Sequence, residues 1–234
     1  MPDLLNQNHP EDLSSFLRYL ALEYQDGDRL PSLPEISRCL GVSIASLREQ
    51  LEVARSLGVV EVRPKTGIRR QKYQFYPAVA RSLSYAVTIN TEHFRQFADL
   101  RTHVESAYFR EAVSRLTRED LQEMQTLVER AEHKLNRVPA QIPHNEHRNL
   151  HLLVYRRLDN PFVTGLLEAY WEMYEDIGMA TYTDYGYLQT VWRYHRRMVE
   201  ALVAGEIDAG YRALIEHVDL ITQRSRNATR QKFE

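Results

Sequence analysis

The segment from Asp26 to Arg70 constrains this chain more than any other, because its punctuation residues sit at fixed offsets. Ser32 followed three residues later by Glu35 is a capping box, and it predicts a short helix opening at that point. Gly41 can supply a left-handed turn between Leu40 and Val42, whose side chains turn inward on either side. Ser43 then caps a longer helix over Ile44–Ser56, with Leu47, Leu51 and Ala54 on one face. Gly58 ends it. Val59, Val60 and Val62 read as a strand, Pro64-Lys65-Thr66-Gly67 as a turn, and Ile68 as the start of the return strand. Two helices about a tight turn, followed by a two-stranded wing, form a winged helix-turn-helix, an arrangement that reads DNA. A preceding helix is expected over Leu13–Tyr24, where Leu13, Phe16, Leu17, Leu20 and Leu22 fall near helical spacing. Asp12 or Glu11 gives it an acidic start, and Asp26-Gly27-Asp28 breaks the chain after it.

Charge divides at the same boundary. From Ser43 to Lys72 seven basic residues face three acids, whereas from Met1 to Val42 three basic residues face seven acids. A net charge of −2 is therefore compatible with a basic face. Arg48 can reach a base edge or a phosphate, and Ser43 and Ser46 can donate to phosphate. Lys65, Thr66 and Gly67 form a wing tip suited to the minor groove or the backbone. Arg69 and Arg70 add cations beside it.

The remaining two-thirds reads differently. Tyr73 to Asn90, interrupted by Pro77, is expected to be a linker with one short helix. From Thr91 onward the pattern is helical: Thr91–Arg115, a helix capped by Thr117 and Asp120 running to about Asn136, one from Pro143 to near Leu158, one from Asn160-Pro161 through Tyr174, then Tyr187–Val203 and Ile207–Arg226. The expected class is mainly α, with a DNA-binding domain over 1–72, a linker over 73–90 and an all-helical bundle over 91–234. The single cysteine, Cys39, excludes an internal disulfide framework and fits a reducing cytoplasm. Its place beside Leu40 predicts a buried structural thiol. No signal peptide opens the chain, and no apolar run is long enough to span a membrane.

Nine histidines are present. His9, His93 and His133 fall at polar or terminal positions, and His103 and His144 read as solvated or hydrogen-bonded. His147 and His151 are i and i+4, on one face of a helix. His195 and His217 lie mid-helix on the last two helices, and facing helices of a bundle can bring such side chains to one cavity. The pair reads H-R-N-L-H, which is the zincin spacing with Arg148 where hydrolysis needs a glutamate base. Tyr155, Trp171, Tyr174, Trp192 and Tyr194 could line that cavity, although aromatics at helical spacing more often fill plain core.

Taken together, the two halves resemble the GntR family of bacterial transcription regulators. The N-terminal match runs through Leu30, Pro31, Ser32, Leu40, Gly41, Val42, Ser43, Arg48, Glu49, Leu51, Gly58, Val60, Arg63 and Gly67. The C-terminal half resembles the FadR C-terminal-like, or FCD, ligand-sensing domain, at Leu100-Arg101, Val104-Glu105, His151, Asn160-Pro161, His195 and Glu216-His217. The resemblance covers about residues 11 to 228. It implies a homodimer on an operator duplex, with Ser32 joining Ser43, Ser46, Arg48, Lys65, Thr66, Gly67 and Arg69 at the DNA. Two departures, Pro34 and Ile44, stand where the family often carries DNA-contacting arginines. The resemblance also implies a divalent metal on His147, His151, His195 and His217. His147 replaces the usual aspartate, which makes the site softer and favours Zn2+, with Ni2+ as the other candidate. Arg101 matches an arginine that binds an effector carboxylate, and a salt bridge with Asp99 or Glu105 is its alternative role. The expected function is operator binding controlled by a small carboxylate. A metalloenzyme fused to a DNA-binding module, or a helical protein with a purely structural metal, are the competing readings.

Overall fold

A computed structural model describes residues 13–178 and 185–230 of the chain. By internal contacts it divides into two compact units, residues 1–78 and 79–234.

The first unit contains α1 (Ser15–Glu23), α2 (Leu33–Leu40), α3 (Ile44–Ser56), β1 (Val60–Arg63) and β2 (Gly67–Arg70). Local chemistry sets its boundaries. The Glu35 carboxylate accepts from the Ser32 amide at 2.8 Å and from its hydroxyl at 2.5 Å, opening α2. Gly41 closes α2 at φ 67°, a conformation that costs glycine little. The Ser43 hydroxyl oxygen accepts from the Ser46 amide at 3.1 Å and starts α3. β1 and β2 pair antiparallel, with Val60 opposite Arg70 and Arg63 opposite Gly67. Phe16, Leu20, Leu30, Ile36, Leu47, Leu51, Ala54, Val60 and Ile68 form the core.

Three expectations change here. Ser14, not an acid, caps α1 through the Leu17 amide, and Glu11 and Asp12 lie outside the described residues. Cys39 is exposed. The inward face of α2 is centred on Ile36, with Leu33 and Leu40 packed beside it. At 100° per residue, Cys39 falls about 100° around from Leu40, off that face. The expected linker holds a full helix, α4 (Tyr76–Ile89). Pro77 falls in its first turn, where a missing amide hydrogen breaks no intrahelical bond. Gly58 accommodates that start, since a Cβ there would come within 2.6 Å of the Pro77 ring.

The second unit is helical, with α5 (Glu92–Val113), α6 (Arg118–Leu135), α7 (His144–Tyr155), α8 (Pro161–Gly178), α9 (Tyr185–Val203) and α10 (Ile207–Arg230). Thr117 and Asp120 form the capping box of α6, and the Asn160 side chain accepts from Phe162 and Val163 amides at the start of α8. α7 stops at Tyr155, short of Leu158, and α8 runs on past Tyr174 to Gly178. Phe109, Met124, Val128, Leu150, Leu167, Trp192, Met198 and Leu214 belong to its apolar core. Among the described residues, eight polar or charged side chains are buried in this unit, namely Arg101, Glu105, Asp120, Glu146 and four histidines. Such groups are rare in a core unless they are partnered, so they mark where function is to be sought.

Candidate functional site

Three helices deliver the four histidines. On α7, His147 and His151 share the inward face with Leu150 and Val154. On α9, His195 lies on the apolar stripe of Leu188, Val191, Trp192, Met198, Val199 and Leu202. On α10, His217 follows Ala213 and Leu214 inward. The pattern that makes each helix pack is the pattern that aims each imidazole at the centre.

The rings converge. One ligand nitrogen from each of His147, His151, His195 and His217 lies within 4.8 Å of the others, and all four residues are buried. His151 Nε2 and His195 Nε2 are 3.1 Å apart. Two nitrogens on a tetrahedral zinc with bonds of about 2.0–2.1 Å stand roughly 3.3 Å apart, so this pair is already near ligating separation. Ring centroids of His195 and His217 are 4.4 Å apart, and those of His147 and His195 are 4.8 Å apart.

Burial leaves these imidazoles uncharged. It pushes the pKa of His147, His195 and His217 well below the usual histidine range; the crowding of imidazoles that cannot all be protonated together and the Arg101 charge push the same way, with Glu105 opposing at His217. His151 is also lowered by burial, against the opposing pull of Glu105. A neutral imidazole is the form that binds a metal. His147 Nε2, His195 Nδ1 and both nitrogens of His217 are buried without a hydrogen-bond partner. Native cores rarely leave such atoms unmet, and a nitrogen-loving cation would meet one nitrogen of each ring it binds. The donor set therefore fits the divalent ion expected from the sequence. Ile142, Pro143, His144, Leu188, Val191 and Trp192 line a recess that reaches His147.

The aromatics do more than fill core. Trp171 lies 4.4 Å from His151 and 4.7 Å from His147, and Trp192 lies 4.8 Å from His195, between ring centroids. Tyr155 donates its hydroxyl to the Glu105 carbonyl at 2.8 Å. Tyr194 stands apart from the cluster, its ring under the Arg197 guanidinium at 5.5 Å.

Arg101 is buried, and its ion pair is with Glu105 at 2.6 Å rather than on the surface. It also donates to the Tyr170 hydroxyl at 3.0 Å and lies over the Tyr170 ring at 4.3 Å. Its Nε is buried without a partner. Burial alone would raise the Glu105 carboxyl, but the Arg101 charge and then His151 outweigh it and bring it down to about 2. Glu105 Oε1 stands 3.3 Å from His151 Nδ1. The sequence offers Glu105 as part of the FCD resemblance and, with Asp99, as an alternative surface partner of Arg101. The i, i+4 spacing gave the pair, but only the packing of α5 against α7 adds the histidine. His103 is tied to its own helix, with Nδ1 2.8 Å from the Asp99 carbonyl.

The candidate DNA contacts separate into engaged and open groups. Arg48 on α3 and Lys65 and Thr66 at the wing tip are exposed, and neither cation has a hydrogen bond or ion pair with another described residue. Lys65 holds φ at 73° and Gly67 at 78°, which turns the tip. Ser43 and Ser46 oxygens accept from the Ser46 amide and Gln50 Nε2, so their hydroxyl hydrogens stay available. Ser32 is committed to Glu35, and Arg69 donates to the Gly27 carbonyl at 2.9 Å. Arg70 donates to the Tyr24 carbonyl, and Arg55 and Arg63 pair with Glu52 and Glu61.

Comparisons with known proteins agree with this architecture. A sequence model of the FCD domain matches residues 96–220, more than half of the chain. The HTH-type transcriptional regulator LutR of Bacillus subtilis (strain 168) is 22% identical over 209 residues, spanning 84% of this chain and 90% of that protein. Among solved structures, Streptococcus agalactiae GntR aligns with a TM-score of 0.60 at 17% identity, covering 88% of this chain and 94% of that one. E. coli McbR/YncC aligns with a TM-score of 0.51 at 19% identity, covering 92% and 93%. At these identities the structures speak for the fold.

Proposed function

Because this chain belongs to the FCD domain family and is a transcriptional regulator of the GntR type, we propose that it binds operator DNA as a homodimer and that a small carboxylate, taken up at a metal-containing centre in its helical unit, controls that binding. The observation that carries this reading is the set of four buried histidines whose nitrogens converge, three of them with a nitrogen otherwise unmet. His147, His151, His195 and His217 would hold the ion, most favourably Zn2+, with Ni2+ next. Bound there, it supplies a Lewis-acidic centre on which an anion can rest.

Charge supports an anionic effector. Four neutral imidazoles contribute nothing against a divalent ion, and Arg101 and Glu105 cancel one another. A buried centre with two uncompensated positive charges is costly, and a carboxylate offsets it. Arg101 Nε is the buried donor left to meet one. Effector binding then shifts the population between DNA-competent and incompetent dimers, as far as its differential affinity for the two allows. Arg48, Ser43, Ser46, Lys65, Thr66 and Gly67 would make the DNA contacts. Ser32 and Arg69 serve the fold first and would contribute only by exchanging partners.

A hydrolytic metalloenzyme fits less well. Arg148 occupies the position of the zincin base and approaches Glu175 at 4.0 Å. Glu105 faces Nδ1 of His151, the side of the ring turned away from the His195 nitrogen. No helix among the described residues is long and apolar enough to cross a membrane.

The test uses zinc-loaded and chelated protein, a duplex selected from a random pool, and a panel of mono- and dicarboxylates. At least one carboxylate should change duplex affinity in the zinc-loaded protein and lose that effect after chelation. Identical duplex binding with and without metal, and no carboxylate shifting the melting temperature, would leave the metal purely structural.

A further inference from the structure

One acid faces the histidine cluster from a helix that carries no histidine ligand. Glu105 is fully buried on α5. Its Oε2 accepts from Arg101 NH1 at 2.6 Å. Its Oε1 lies 3.3 Å from His151 Nδ1, within ion-pair distance but without hydrogen-bond geometry, and has no hydrogen-bond partner among the described residues. We infer that Glu105 is a positioning residue for the metal centre: it fixes His151 with the proton on Nδ1 and the lone pair of Nε2 turned toward His195, and Arg101 in turn fixes Glu105. This rests on the metal reading given above.

The geometry separates this role from plain cohesion. An arginine and a glutamate that serve only each other favour the two-pronged pairing that uses both carboxylate oxygens. Here only Oε2 receives the guanidinium, while Oε1 is left toward the imidazole. A carboxylate held by a guanidinium is an acceptor, so the histidine nitrogen facing it must be the one that carries hydrogen. That choice leaves Nε2 as the ligand atom, and Nε2 is the nitrogen 3.1 Å from His195 Nε2.

The surroundings allow little rotation. Trp171 covers the His151 ring with centroids 4.4 Å apart. Tyr155, one turn beyond His151 on α7, donates to the Glu105 backbone carbonyl at 2.8 Å. α7 thus grips Glu105 twice, at its carbonyl through Tyr155 and at its carboxylate through His151. Arg101 is held from the far side by the Tyr170 hydroxyl at 3.0 Å. The chain Tyr170, Arg101, Glu105, His151 therefore runs from α8 through α5 into the histidine cluster on α7. Carboxylates placed behind a ligating imidazole set its tautomer and raise its basicity, and losing one costs about 10–100-fold in metal affinity.

The experiment compares wild type, Glu105→Gln, Glu105→Ala and His151→Ala as full chains. Zinc affinity is read by competition with a chromophoric chelator, the visible bands of the Co2+ form report ligand geometry, and circular dichroism melting of the metal-free proteins reports folding. Glu105→Ala should weaken zinc by about 10–100-fold and shift the cobalt bands. Glu105→Gln, whose amide oxygen still accepts from Nδ1–H, should lose less. A role confined to cohesion would lower melting temperatures and leave the affinity and bands of the folded variants at wild-type values. That result, with His151→Ala losing the metal, overturns the inference and leaves the metal reading standing. A wild type that takes up neither zinc nor cobalt overturns both. If Glu105→Ala fails to fold, the Gln variant and nitrogen-15 NMR of metal-free wild type decide: His151 should carry its proton on Nδ1, and a proton on Nε2 overturns the assignment.

Discussion

Trp171 lies tilted against His151, with ring centroids 4.4 Å apart and an interplanar angle of 34°. The only other tryptophan, Trp192, lies 4.8 Å from His195. Both tryptophans, which dominate emission on excitation at the red edge of the aromatic band, therefore border the proposed metal centre. Open-shell ions accept excitation energy over such short distances, whereas closed-shell zinc does not. Titration with Co2+ or Ni2+ should quench most of the emission and saturate at one ion per chain. Zinc added first should block the quenching. Emission indifferent to cobalt and nickel would place the ion elsewhere.

Metal should stabilise the fold. Free zinc at about 100 times its dissociation constant adds roughly 2.7 kcal/mol if the unfolded chain binds little. For a chain of this size that raises the melting temperature by about 5–10 °C. His195→Ala and His217→Ala should each lose most of the bound metal and most of this increment. His147→Ala should lose less if three imidazoles suffice. Elemental analysis after dialysis and a melting curve measure both.

Arg48→Ala should weaken binding to a selected duplex by roughly 1–3 kcal/mol if the guanidinium meets a base edge. Lys65→Ala should weaken all sequences alike and reduce the salt dependence by about one charge. Gel-shift titrations at two salt concentrations separate the two. Unchanged affinity in both variants would remove these residues from the DNA face.

Light scattering should give twice the chain mass at micromolar concentration, since two winged helices suit a two-fold operator. A particle of one chain mass, both free and on duplex, would contradict the homodimer.

Asp120 supplies a pH test remote from the histidines. Arg157 and Arg156 both donate to its carboxylate, as does the Thr117 amide at 2.8 Å. Hydrogen bonds from Arg157 first, then from the Thr117 amide and Arg156, hold it well below the usual aspartate range against the effect of burial. A group lowered in the fold stabilises it above its unfolded value of about 3.9, and that contribution fades as pH falls through the folded value. Asp120→Asn should cost about 1–2 kcal/mol at pH 7, the scale of a helix cap with a solvent-screened ion pair. The gap to wild type should narrow below about pH 4. Denaturant unfolding at pH 7, 4 and 3 measures it, and a gap independent of pH would rule out ionisation as its source.

The sequence was most legible where structure is set within a few residues. Ser32 with Glu35, Thr117 with Asp120, Gly41 and the wing turn all act over three or four positions, and each is found in place. The i, i+4 histidines were legible for the same reason. Cys39 was misread because its exposure depends on which side of α2 turns inward, and the neighbouring Leu40 does not fix that for it. Pro77, in a stretch whose irregular pattern reads as a linker with one short helix, stands in a first turn, where proline is compatible with helix. The Arg101–Glu105 pair was visible as a spacing, but its burial is decided by α7 and α8, more than forty residues away in sequence.

One small feature of the first unit reaches further than its size. Gln50 Oε1 accepts from the Phe16 amide at 2.9 Å and the Ser15 hydroxyl at 3.2 Å, which fixes the amide the other way round toward Ser46. The Ser46 oxygen is thereby occupied as an acceptor, and its hydrogen is left to point outward. This hydroxyl is polarised in advance to greet a lone pair, so α1 sets the sign of a contact made on α3. Ser15→Ala, distant in sequence from every proposed DNA contact, would remove one of the two donors that hold that setting and leave it to the Phe16 amide alone.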